Sequence, residues 1–140
     1  FRDDDVLLFD MYAGVEHLGR ATVDFVDAMV VVVEPTRRSL GTAAQIVKLA
    51  EDIGLTRISL VGNRIRNDED AGFLATESMA LPVLGHLPDD PGVIEADRGG
   101  EPVYAAVPAL REAAGRIADA LEAASIGAGS QEPEAGRDDE

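Results

Sequence analysis

The sequence contains no cysteine. Disulfides, thiolate nucleophiles and cysteine-ligated metal are therefore excluded within these residues. It has a single lysine, Lys48, among 12 basic residues, set against 27 acidic ones, for a net charge of −15. So acidic a chain repels phosphate backbones and anionic lipid, which argues against a nucleic-acid or membrane-surface partner. No apolar run approaches the ~20 residues that span a bilayer. The longest, Ala28 to Val33, has the length of a strand. The opening FRDDD is acidic where a signal segment is basic and apolar, and the cytoplasm is the expected location. Two nucleotide fingerprints are missing as well: neither G-x-x-x-x-G-K-[ST] nor G-x-G-x-x-G occurs.

What is present suits a folded domain. The hydrophobic fraction is 46% over 140 residues, enough for one core. Four apolar runs read as strands: VLLFD (6–10), AMVVVVEP (28–35), RISLVGNRI (57–65) and PVLGHLP (82–88). They are continuous and do not alternate polar with apolar, the pattern of parallel strands covered on both faces. Helices fill the gaps. Ser39 is placed to cap one whose residues Leu40, Ala43, Ala44, Val47 and Ala50 recur at helical spacing, and Gly54 stands where a helix end wants positive φ. A second spans 67–79, with acids in its first turn. A third runs from about Pro108 to Ala124, with Leu110, Ala114, Ile117 and Leu121 on one face. The expected architecture is α/β, a parallel sheet with helices on both faces and right-handed crossovers. Residues 1–124 form the expected domain, and the polar, Gly- and acid-rich stretch 125–140 an expected disordered tail.

In such sheets, ligands bind beyond the carboxyl ends of the strands. Polar and turn-forming residues gather there: Asp10 after the first run, Glu34 and Pro35 after the second, Asn63 in the third, and Pro88, Asp89 and Asp90 after the fourth. A carboxylate at a strand tip can hold Mg²⁺ directly or through its waters. Gly14, four residues beyond Asp10, would let a backbone N–H approach a phosphate with no Cβ between. The plainer alternative is that Asp10 and Gly14 make a turn, that Asn63 caps the loop before Asp68, and that Asp90 with Pro91 starts a helix. His17 and His86 are isolated and read as structural residues.

The stretches DMYAGVEHLGR (10–20), VVVVEPTRRSLGTA (30–43) and LVGNRI (60–65) resemble the CooC-type ATPases that mature carbon monoxide dehydrogenase, within the MinD, ParA and nitrogenase iron protein group of P-loop ATPases. GHLPDDPGVIEADRGGEPV (85–103) is similar to the closing segment of that group. The resemblance covers roughly residues 6–122. It implies an ATP and Mg²⁺ site in which Asp10 is the Mg²⁺-linked carboxylate, acting through water, and Gly14 the γ-phosphate contact. It implies that Met11 to Arg20 is a switch, that Asn63 reads the adenine edge, that Pro88 packs beside the base and that Asp90 helps fix the nucleotide. Tyr12 stands where the family has Glu, so no acid-dependent switch or dimer role carries over to that position. The family's phosphate loop, first switch and nickel-binding cysteines lie upstream of the D-x-x-x-G. The resemblance therefore implies a C-terminal part of a longer, homodimeric ATPase with carbon monoxide dehydrogenase as client. Two other readings are a MinD- or ParA-type positioning ATPase and a non-enzymatic α/β interaction domain. The acidic tail and the charge of −15 weigh against the first of these. A dinucleotide-binding fold would need the missing glycine motif.

Overall fold

The computed structural model describes residues 6–11 and 26–126 of the chain. Among these residues the sheet has three strands, β1 (Met29–Val33), β2 (Ile58–Ile65) and β3 (Val83–Pro88), in the order β1-β2-β3 and parallel throughout. Helix α1 (Arg37–Asp52) and the loop after it connect β1 to β2, and α2 (Asp68–Thr76) lies between β2 and β3. Three helices follow the sheet: α3 (Gly92–Gly99), α4 (Val103–Ala106) and α5 (Pro108–Ile126).

The expected first strand is the main correction. Residues 6–10 are irregular and lie outside the sheet, with Val6 84% and Leu8 85% exposed. The physical reason is the lack of a backbone partner. An apolar run becomes a strand only where a ladder accepts it, and β1 is already the end of the described sheet. Helices lie on both faces of the sheet, as expected, although Val32 in β1 is 56% exposed. Register explains this. Val31 faces the same side as Leu60 and Val83, whereas Val32 shares the other side with Val61 and Gly85. Helix α5 covers that other side over β3, where Ile117 fills the space in front of Gly85.

The covered face of β1 holds the larger core. Val31, Val33, Ile58 and Leu60 pack with Leu40, Ala43, Val47 and Ala50 of α1 and with Leu74 of α2. Leu60 and Leu74 are each 1% exposed. Burying one such side chain contributes about 1.5–3 kcal/mol. Ala44, expected on this face, is exposed, and Ile46 takes part from the helix flank.

The cap of α1 also differs from expectation. Thr36, not Ser39, is the N-cap, its hydroxyl accepting from the Ser39 N–H at 3.2 Å. The Ser39 hydroxyl instead accepts from the Glu34 N–H at 2.9 Å and so ties the end of β1 to the helix. The helix ends as Gly54 requires. With φ at +94° it donates to Glu51, and Leu55 donates back to Ala50, so two terminal carbonyls are satisfied. Asp90 and Pro91 do open a helix, α3, and the short α4 that follows it is an element the spacing does not predict. Helix α2 is shorter than expected, ending at Thr76. Helix α5 runs to Ile126, two residues beyond the expected domain boundary.

Candidate functional site

The carboxyl ends of β1, β2 and β3 lie side by side, so the residues that follow them form one rim. Glu34 comes after β1, Asn63, Arg64 and Arg66 lie at the end of β2, and Pro88, Asp89 and Asp90 end β3. A backbone hydrogen bond from the Asp89 N–H to the Ile65 carbonyl, 3.0 Å, fastens the last two ends together.

Strand β2 reaches this rim through an irregularity. Its register with β3 breaks between Gly62 and Ile65, so Asn63 and Arg64 form a bulge. Arg64 is in the left-handed region, φ 57°. Bulges of this kind re-aim side chains beside binding sites. Gly62, just before it, must be glycine, because a Cβ there would stand 2.6 Å from His86 Nδ1 and 2.7 Å from Leu74 Cδ1. The Gly62 contact places His86 in the packing behind the rim. Among the described residues no group of three or more His, Asp and Glu side chains is placed to hold a metal.

Asn63 is half-buried in β2. It does not cap the following helix, since Asn67 does so, accepting from the Asp70 N–H at 2.9 Å. Pro88 is the half-buried last residue of β3. Asp90 starts α3 as an Asx turn, its Oδ1 accepting from the Gly92 N–H at 2.8 Å. Asp10 is exposed and lies outside the sheet. Gly14, Tyr12, His17 and the tail from residue 127 lie outside the described residues.

Two arginines were missed by the motif-based reading. Arg66 is locked to Asp70, its Nε and Nη2 donating to the two carboxylate oxygens at 2.9 and 3.0 Å while its backbone N–H donates to Oδ2 at 3.0 Å. These bonds hold the Asp70 carboxyl below its ordinary value of 3.8. A depressed carboxylate adds stability that is complete above that value and is lost as the pH falls below it. Thermal melts at pH 7 and pH 3 should show a larger loss for the wild-type chain than for Asp70→Asn, which has no proton to take up. Equal losses would show that this pair does not set the acid limb. Arg64 was passed over because it adjoins Asn63 with no motif of its own. Its left-handed backbone could not be read from residue type.

The rim's chemistry suits one end of a nucleotide. The Asn63 amide can donate and accept at once, as a purine edge requires, and Pro88 offers an apolar edge beside it. The phosphate end finds no such fit. Glu34, Asp89 and Asp90 are negative, Arg66 is committed, and Lys48 is exposed along α1, away from any helix N-terminus. A triphosphate needs a cradle of backbone N–H groups with a lysine, and no described residues form one.

The fold is that of the MinD/ParA group. The structure aligns with MinD from the MinC:MinD cell division complex of Aquifex aeolicus at a TM-score of 0.58, covering 88% of this chain and 51% of that one at 21% identity. Sequence narrows this. The chain is 40% identical over 117 residues to the carbon monoxide dehydrogenase accessory protein CooC of Rhodospirillum rubrum, covering 84% of this chain. It is 41% identical over 102 residues to an ATP-binding protein of Methanocaldococcus jannaschii. It belongs to the MinD/ParA superfamily. The chain spans 44% of the length of CooC and 40% of the archaeal protein. No protein-family profile matches it. No helix among the described residues is long and apolar enough to cross a membrane.

Proposed function

We propose that this chain is the C-terminal part of a CooC-type ATPase and supplies the base end of its ATP site. In this reading Asn63 holds the adenine edge, Pro88 packs beside the ring, and Asp90 fixes the turn that closes the site. Asp10 is the Mg²⁺-linked carboxylate and Gly14 the γ-phosphate contact, both completed by a phosphate loop that these 140 residues do not contain. When bound, Mg²⁺ would neutralise charge on the transferring phosphate. The assembled enzyme is a cytoplasmic homodimer that couples hydrolysis to nickel insertion into carbon monoxide dehydrogenase. The observation that carries the ATPase reading is the half-buried Asn63 on the carboxyl-end rim of a MinD-like sheet. The client rests on the likeness to CooC.

The base site is tested with Asn63→Ala in the full-length protein. Competition titration with ATP and GTP should show the preference for ATP falling about 10-fold, the size of one or two lost hydrogen bonds. An unchanged ratio would remove Asn63 from the base site.

A further inference from the structure

Arg64 and Arg66 flank Ile65, and the fold uses them differently. Arg66 forms a bidentate pair with Asp70. Arg64 instead stands between two carboxylates on different strands, with Nη1 3.6 Å from Glu34 Oε1 and Nε 3.7 Å from Asp89 Oδ1. Glu34 follows β1, Asp89 follows β3, and Arg64 itself is on β2. One guanidinium therefore joins the carboxyl ends of all three described strands. A planar fork can meet two carboxylates at once, whereas a lysine, a point charge, would sit on one.

The backbone gives the second observation. Arg64 holds a left-handed φ of 57° inside the break in the β2–β3 ladder, directly after Asn63. A non-glycine residue keeps such a conformation only where its surroundings enforce it. Beside it lie the two ion pairs and the bond from the Asp89 N–H to the Ile65 carbonyl. Both ion pairs are longer than a hydrogen bond, and the Arg64 side chain is 62% exposed. Pairs of this kind add little to global stability, so a stabilising role does not account for them.

We propose that Arg64 is a positioning residue for Asn63, and that the Glu34–Arg64–Asp89 bridge holds the bulge at the angle that presents the Asn63 amide to a purine base. This rests on the base-site reading above. The bridge sets which base is preferred and leaves the phosphate end untouched.

The test measures ATP and GTP dissociation constants in the full-length protein, with melting temperatures, for Arg64→Ala, Arg64→Gly, Arg64→Lys and Asn63→Ala. Arg64→Ala and Arg64→Gly should each lower the ATP-over-GTP preference about fivefold, with melting temperatures near wild type. Arg64→Lys should retain part of the preference. The double variant Glu34→Gln, Asp89→Asn should match Arg64→Ala, and adding Arg64→Ala to it should change nothing further. Glycine accepts the left-handed backbone without strain, so a full preference in Arg64→Gly would show that the bend alone suffices and would overturn the bridge. A fall in melting temperature with both affinities lowered equally would mark a structural role and also overturn it. If Asn63→Ala loses discrimination and Arg64→Ala does not, this inference fails and the base site stands. If Asn63→Ala changes nothing, the base site fails and the inference with it.

Discussion

Titration of the 140-residue chain with Mg-ATP is expected to give no binding heat at micromolar concentrations, with a dissociation constant weaker than about 1 mM. Two features lead to this. The rim offers a triphosphate Glu34, Asp89 and Asp90, while its two arginines are engaged with carboxylates. Like charges repel, and no lysine or backbone cradle offsets them. The sheet is the second feature. β1 has no partner on its outer edge among the described residues, and the apolar run 6–10, which the superfamily resemblance makes a strand, is exposed and unpaired. An unpaired edge beside exposed Val32 and Leu8 is a surface for self-association. Isothermal titration and sedimentation at several concentrations check both points. Micromolar binding by a monomer would mean that these residues hold a complete nucleotide site.

Asp10→Asn in the full-length protein is expected to slow Mg-ATP hydrolysis by about 100-fold or more, because several kcal/mol of transition-state stabilisation depend on the metal-linked charge. Its melting temperature should stay near wild type. Asp10 is exposed, and no hydrogen bond or ion pair joins it to another described residue. The two measurements separate a chemical role from a structural one. Turnover at the wild-type rate with saturating Mg²⁺ would exclude Asp10 from the metal site.

The parts of the fold legible in sequence are those where local pattern and burial agree. The run Met29–Val33, the α1 positions Leu40, Ala43, Val47 and Ala50, and Gly54 at the helix end all follow from apolar spacing and from glycine's freedom at positive φ. The run 6–10 has the same local pattern and is no strand, because pairing depends on a neighbour that local sequence cannot report. Thr36 and Ser39 are both good caps, and the choice was settled by the end of β1, where Glu34 claims the Ser39 hydroxyl. At the candidate site, the placement of Asn63, Pro88 and Asp90 at the ends of β2 and β3 was legible, because each follows or closes a continuous apolar run. Arg64 was not. Its significance lies in a backbone angle and in two partners separated from it by whole elements of the chain.

The parallel order β1-β2-β3 also fixes a sequence of events. No strand here is joined to its neighbour by a hairpin: residue 29 lies beside residue 58, and residue 60 beside residue 83. While the chain emerges from the ribosome, β1 cannot form its ladder with β2 until residues 57 and 58 have been synthesised and have folded back. Helix α1, with its local caps at Thr36 and Gly54, needs no such wait. Until β2 arrives, it is the nearest element able to shield Val31 and Val33. Closing so long a loop costs entropy before any contact repays it, which makes sheet formation the slow step. During that interval the edge of β1 that will meet β2 stands open along four consecutive valines, and this is when a chaperone would have the most to hold.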